Sequence, residues 1–383
     1  MLAEVVPPDN SGRKAFLLSC GLLIALLTIF SLGCVFVIFT DATVTNFKEG
    51  KPEVLLLSLI AAPVLALPYF LVIMWLDRNE KEPPHLILSA FLWGAVIAVG
   101  ISCVFNSYFG SIFGGQLTAS FSAPFIEEVT KGAALLVIYL FFKKDFDNVM
   151  DGIVYGAVVG LGFAAVENFM YYSRTPDIDQ ATNLIILRGV IGSIGSHACY
   201  TALTGIGLGL FRVKRAGKLR YLFPIAGLML AMFVHFAWNT FIGLFFIGAE
   251  SDQMVLLVRM PIAVTVLQMP FVILVVLVSF FSLRHERKLI ENYLSTETAP
   301  VLMPGELVGL VPARRRTIRS MKLFFTFKLA KWWRRKKRDR LLIRLAFEKW
   351  HMDQEAQLED KVAGHYHAER VLSLRRELIG LKV

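Results

Sequence analysis

Several side chains stand where a strongly apolar sequence should not hold them. Glu127, Glu128 and Lys131 fall in Ala123-Pro124-Phe125-Ile126-Glu127-Glu128-Val129-Thr130-Lys131, Glu167 and Asn168 follow Phe163-Ala164-Ala165-Val166, His197 follows Ser196, and His235 and Asn239 share His235-Phe236-Ala237-Trp238-Asn239. Each belongs to a run long enough to cross a bilayer, where an ionisable group costs a few kcal/mol on insertion scales unless it faces a bundle interior or water. Carboxylates and two imidazoles in a cavity that admits water can activate that water for attack on an amide. Two routes fit these residue types. In one, a glutamate and a histidine act as general bases while the other histidine and Asn239 donate hydrogen bonds to the developing oxyanion. In the other, His197, His235 and a carboxylate, Glu167, hold Zn2+ with a position left for water, and a remaining glutamate takes the proton. The chain has no His-Glu-x-x-His, so metal ligands must come from separate helices.

Spacing adds detail. Glu127 and Lys131 are four residues apart, as are His235 and Asn239, so each pair projects from one helix face. Glu127 and Glu128 point about 100° apart. One of them can face a cavity while the other meets Lys131 or a neighbouring helix.

The elements that must position these groups are legible in the composition. Of 383 residues 56% are hydrophobic and 18% charged, which is the balance of a membrane protein and excludes a disordered chain or a secreted disulfide scaffold. The four cysteines, Cys20, Cys34, Cys103 and Cys199, lie inside apolar runs and read as small hydrophobes. About 20 apolar residues span a bilayer, and eight runs qualify: 15–39, 54–76, 86–105, 123–142, 150–172, 184–211, 221–247 and 256–282. The expected fold is therefore all-α, a polytopic bundle of about eight transmembrane helices. The stretch 108–122, with three glycines and no charge, reads as a partly buried or re-entrant loop ahead of the fourth span, tolerated only against protein or a water-filled cavity.

Lys and Arg concentrate in alternate loops, with Arg78 and Lys81, Lys143 and Lys144, and Arg212, Lys214, Lys218 and Arg220 all on one side. The positive-inside rule then puts both termini in the cytoplasm; the expected location is the plasma membrane, and the rise of about 1.5 Å per residue puts Glu127 and Glu167 in the outer half of the bundle. Residues 1–282 read as the membrane core and 283–313 as a linker punctuated by Pro300, Pro304, Gly305, Gly309 and Pro312. Residues 314–383 read as a basic helical tail on the cytoplasmic side. There Ile318, Met321, Phe324, Phe325, Trp332 and Trp333 alternate with Arg and Lys, a pattern suited to anionic lipid headgroups rather than nucleic acid, because the segment is tethered beside a membrane. The tail also carries much of the net charge of +10.

Taken in order on four consecutive spans, Glu127-Glu128-x-x-Lys131, Phe163-x-x-x-Glu167-Asn168, His197 and His235-x-x-x-Asn239 resemble the PrsW family of intramembrane proteases, grouped with the CAAX-prenyl and bacteriocin-processing (CPBP) membrane proteases. Asp77-Arg78-Asn79-Glu80-Lys81-Glu82-Pro83-Pro84 and Asp147-Asn148-Val149-Met150-Asp151-Gly152 are similar to that family's junctions between spans. The likeness runs from about residue 76 to 240. It implies an intramembrane endopeptidase acting on membrane-anchored proteins such as anti-sigma factors, with Glu127 and Glu128 as essential acid/base residues. His197 and His235 would activate water or bind metal, and Asn239 would support the oxyanion. Where the wider superfamily has histidine in its second motif, this chain has Glu167, which leaves both the metal and the metal-free route open. The competing class is a proton- or ion-coupled transporter using the same Glu/His cluster. It predicts an inverted repeat, and spans one to three and eight offer no counterpart of the polar groups.

Overall fold

The computed structural model describes residues 11–214, 217–246, 252–356 and 361–381, and every regular element among the described residues is helical. The protein is an all-α polytopic membrane bundle. Its chain divides into two compact units, one made of residues up to Ile73 with Pro83–Val275, the other of Met74–Glu82 with Val276–Val383.

The first unit contains α1 (Ser11–Lys48), α2 (Pro52–Leu76), α3 (Pro84–Phe113), α4 (Ala123–Phe141), α5 (Val149–Tyr172), α6 (Ile178–Val213), α7 (Lys218–Phe245) and α8 (Val255–Leu267), and α9 (Met269–Leu294) begins in it. Seven of these, α1, α2, α3, α5, α6, α7 and α9, are long and apolar enough to cross a membrane. Helix α4 has 19 residues, and it stands apart from that apolar set because it carries Glu127, Glu128 and Lys131. The outward-facing residues are apolar, with Leu18, Ile29, Phe36 and Phe47 among the most exposed, as expected where lipid replaces water.

The expected eighth span, 256–282, is two helices. Pro270 has no N–H to continue a helix, and its ring crowds the carbonyl four residues earlier; the chain breaks at Gln268, which caps α8. Helix α9 then continues past Leu283 to Leu294 without interruption, so the first third of the stretch read as linker is helical. Helix α6 is also irregular. A π-helical segment, Ile185–Ile191, and a 3-10 turn, Gly192–Gly195, precede an α-helical half that starts at His197. The stretch 108–122 holds the end of α3, then Gly114 at φ 82°, a conformation that favours glycine, and a π-helical turn, Thr118–Ser122, leading into α4.

Helix α5 is the axis of this unit. Its start is fixed by a capping box: Asn148 Oδ1 accepts from the backbone N–H of Met150 (2.6 Å) and Asp151 (3.2 Å), and Asp151 Oδ2 accepts from the N–H of Asn148 (3.0 Å). Gly152, Gly156 and Gly160, one per turn, let α5 meet α6 backbone to backbone. A Cβ on Gly160 would stand 2.1 Å from the carbonyl oxygen of His197, one on Gly156 2.5 Å from that of Thr201, and one on Gly152 2.1 Å from that of Gly205. Small residues at this spacing are how membrane helices approach closely. A third element joins at Gly94 and Gly162, which abut the backbone of α5 and α3 in the same way.

The second unit is a helical assembly with its own core. It comprises the end of α9, α10 (Glu306–Leu310), α11 (Ala313–Phe325), α12 (Leu329–Ala356) and α13 (Lys361–Gly380). Its apolar centre joins three helices: Leu289, Ile290 and Leu294 of α9 pack with Leu342, Leu345 and Phe347 of α12 and Leu374 and Leu378 of α13. Arg338 is buried within it, with Nε donating to Glu306 Oε1 (2.7 Å) and Nη2 to Glu306 Oε2 (2.8 Å) and to the carbonyl of Val301 (2.9 Å).

Candidate active site

Helices α4, α5, α6 and α7 bring the ionisable groups together. Glu128 and Lys131 are completely buried, and Glu127, His197 and His235 nearly so. One turn of α4 places Glu127, Glu128 and Lys131 side by side, and the glycine seam between α5 and α6 brings His197 under Glu167.

Glu128 is saturated. Its Oε1 accepts from Lys131 Nζ (2.7 Å) and faces His235 Nδ1 (3.0 Å), and its Oε2 accepts from Thr201 Oγ1 (3.2 Å). A carboxylate can only accept, so Nδ1 of His235 carries the proton and Nε2 keeps its lone pair. Lys131 also lies 3.0 Å from His197 Nδ1. The ammonium must be the donor, which leaves the His197 proton on Nε2, 2.7 Å from Glu167 Oε2. Glu167 is further held by Arg188 Nη2, whose Nε donates to Asn168 Oδ1 (2.8 Å) and whose guanidinium lies over Tyr171. The rings pack as a set: His197 meets His235 edge-on with centroids 4.9 Å apart, and Tyr200 stacks on His235 at 5.1 Å.

Glu127 is different. Its Oε1 accepts one long bond from Asn106 Nδ2 (3.4 Å), and its Oε2 is buried with no hydrogen-bond donor. The nearest cationic or imidazole atoms to Oε2 are Lys131 Nζ at 3.5 Å and His235 Nε2 at 3.9 Å. Within the cluster, three carboxylates (Glu127, Glu128, Glu167) stand against two fixed cations (Lys131, Arg188). Were all three ionised, one negative charge would be left over, next to an oxygen that nothing satisfies. Burying such a charge is costly unless a further cation or a water donates to it.

Glu127, His197 and His235 each offer a ligand atom within 4.8 Å of the others. Glu167, the carboxylate expected from the sequence, lies beside this group, bonded to His197 and paired with Arg188. Asn239 does not join the cluster: its Nδ2 donates to the carbonyl of Ala119 in the π-helical turn ahead of α4 (2.9 Å). Four participants escaped the sequence reading. Arg188 is a lone charge inside the 184–211 run, and its need for a partner is the signal that could have found it. Asn106, Thr201 and Tyr200 are ordinary residues for a membrane helix and offered none. Beside the start of α4, an apolar groove of about 430 Å³ is lined by Phe109, Phe113, Leu117, Phe121, Phe125 and Ile126, the last adjacent in sequence to Glu127.

Comparison with known proteins gives an independent result. A family model described as "PrsW family intramembrane metalloprotease" matches residues 82–276. "Protease PrsW" of Geobacillus kaustophilus is 30% identical over 205 residues, covering 49% of this chain and 84% of the relative. "Protease PrsW" of Bacillus subtilis is 31% identical over 184 residues, covering 47% and 78%. The corresponding protein of Oceanobacillus iheyensis is 33% identical over 161 residues, covering 40% and 68%. No solved structure matches.

Proposed function

The chain belongs to the PrsW family of intramembrane metalloproteases and is itself an intramembrane protease, and from that premise we propose that Glu127 activates the attacking water while the surrounding charges hold two histidines in register. The observation that carries this reading is the buried Glu127 Oε2, without a donor and 3.9 Å from the lone-pair nitrogen of His235. A water between these two atoms can hydrogen-bond to both. Glu127 would take its proton as it attacks the substrate carbonyl, and return that proton to the departing amine. Glu128 and Lys131 would fix the His235 tautomer. Glu167, gripped by Arg188, and Lys131 from the other side would orient His197. Asn239 would act by holding the turn before α4 through Ala119.

The donor set also fits a divalent ion. Glu127, His235 and His197 would hold Zn2+, and Glu127, ionised as a ligand, would offset part of its charge; His197 would have to release a bond, the one to Glu167. When bound, such an ion lowers the pKa of its water to near neutrality. Ligand preference of this kind is supported by the family's description as metalloproteases.

The substrate would be a protein anchored in the same membrane, an anti-sigma factor with a single span being the suitable class. Its apolar segment would lie in the phenylalanine-lined groove beside α4. Positive loops support a plasma-membrane protein with both termini cytoplasmic, the site opening toward the outer face, and the motif order supports placement with the CPBP proteases. Residues 1–282 would be the catalytic core, 283–313 the connection, and 314–383 a cytoplasmic part in contact with anionic lipid. Transport is not favoured, since the relatives are proteases.

The test is co-expression with a membrane-anchored anti-sigma factor tagged at both ends. Glu127→Gln and His235→Ala should each reduce cleavage by about 10²–10⁴-fold with the variant proteins still accumulating in the membrane; cleavage at the parental rate would overturn the assignment. Strong chelation separates the routes: activity lost and restored by added Zn2+ supports the metal, and activity that persists supports Glu127 as a base acting alone.

A further inference from the structure

We propose that α11 and the turn after it form an interfacial anchor that docks on an anionic leaflet of the membrane the protein spans. The inference depends on reading α2 and α9 as bilayer-crossing helices and is independent of the proteolytic chemistry.

Helix α11 is amphipathic in the wrong sense for water. A surface helix normally turns its apolar stripe toward its own core and its charges outward. None of the 13 residues of α11 is buried. Its inward side is polar: Arg316 donates to Asn79 Oδ1, Arg319 Nη2 donates to Asp339 Oδ2 (2.7 Å), and Ser320 Oγ accepts from Trp332 Nε1 (2.8 Å). Its outward side is apolar. Ile318, Met321 and Phe325, spaced three and four residues apart, are 54%, 51% and 67% exposed, and Phe327 in the following turn is 87% exposed. Helix α12 differs, because its Leu342, Leu345 and Phe347 are consumed by the core shared with α13. The lipid contact expected of the whole tail therefore narrows to α11 and its turn.

The location of α11 agrees with a membrane surface. Residues 77–83 join the end of one spanning helix, α2, to the start of another, α3, so this short loop lies at the level of the headgroups. Asn79 in that loop is the residue held by Arg316, and it also donates to Glu286 Oε2 of α9 (2.9 Å), about one turn beyond the exposed Phe280 and Phe281 where that helix leaves its apolar stretch. Lys336, whose ammonium lies over Trp332, is close enough to Lys81 to feel its charge. The start of α11 and the start of α12 thus sit against the membrane-level loop.

Charge selects the occupant. From Ala313 to Arg338 there is no acidic residue. Arg314, Arg315, Lys322, Lys328, Lys331 and Arg334 are all exposed around the apolar stripe. Aromatic side chains at headgroup depth flanked by cations are the pattern of helices that lie in an anionic interface.

The experiment uses the full chain with Cys20, Cys34, Cys103 and Cys199 replaced by serine, and a nitroxide attached at Phe325→Cys or, as a reference, at the half-exposed Leu372→Cys on α13. The protein is reconstituted in nanodiscs of phosphatidylcholine alone or with phosphatidylglycerol added. Accessibility of the label to oxygen relative to a water-soluble nickel chelate should be severalfold higher at Phe325→Cys than at Leu372→Cys when phosphatidylglycerol is present, and Lys322→Glu with Lys328→Glu should erase the difference. A Phe325→Cys label as water-exposed as the reference in both lipids would overturn the anchor and point to a protein or nucleic-acid partner for this face. Because no cleavage is measured, that failure would leave the protease assignment standing.

Discussion

The two units of this chain each bury charge, and they balance it differently. In the second unit, Glu306 receives Arg338 on both oxygens, Met303 N–H at 3.1 Å and Arg335 at 2.9 Å. Burial alone would raise this carboxyl's pKa, but the Arg338 guanidinium and its neighbours outweigh burial and hold it below the usual carboxylate range. In the membrane bundle the same residue types occur, yet Glu127 Oε2 is left without a donor. A buried ion pair is therefore no sign of chemistry by itself. What separates Glu127 from Glu306 is a buried oxygen left without a donor.

This contrast can be broken most severely at Arg338. Arg338→Ala should destabilise the second unit by about 3–5 kcal/mol, the cost of stranding a buried carboxylate, read as lost hydrogen-exchange protection over α12; unchanged protection would mean the pair is no keystone. Gly160→Ala comes next. The added methyl meets the His197 carbonyl at 2.1 Å, and separating the two helices should cost about 1–3 kcal/mol and reduce cleavage about tenfold or more as His197 leaves its partners. Cleavage at the parental rate would show that the seam does not set the site.

Glu127→Gln sharpens the comparison from the other side. Replacing the carboxyl whose oxygen has no donor should reduce cleavage by about 10²–10⁴-fold while raising thermal stability by about 1 kcal/mol, the reverse of Arg338→Ala; a fall in stability would place Glu127 among the structural pairs. The smallest effect is on acidification. Burial would raise Glu297, but the hydrogen bonds from Arg375 and Lys349 leave it, like Glu306, below its ordinary value. Stability from these pairs is present above the unfolded carboxylate pKa and is lost as pH falls through the lower folded one. Melting of the second unit should stay level down to about pH 5 and drop below it, and Glu297→Gln should flatten part of that drop.

Much of the bundle was readable before any coordinates. Runs of apolar residues gave the spans, and the cost of an ionisable group at bilayer depth singled out α4 to α7. The different surroundings of Glu127 and Glu128 were not readable, because adjacent residues differ only in direction and direction depends on what Thr201, Lys131 and His235 do around them. The Gly152, Gly156 and Gly160 spacing was visible, but its meaning required the opposing backbone of α6. The tail was harder for a different reason. Its cations dominate the composition from Arg314 to Arg338, and they mask a short apolar face at Leu342–Phe347 whose partners, the end of α9 and α13, lie far away in sequence. The bond between Arg316 and Asn79 joins residues 237 positions apart, beyond the reach of any local pattern.

The contact of α5 with α6 has a practical corollary. The ruler between Glu167 and His197 is marked in main-chain atoms, and no exchange of side chains can lengthen or shorten it without prising the rods apart. Whoever redesigns this enzyme has no latitude along that stripe of hydrogen atoms where other residues would carry a methyl.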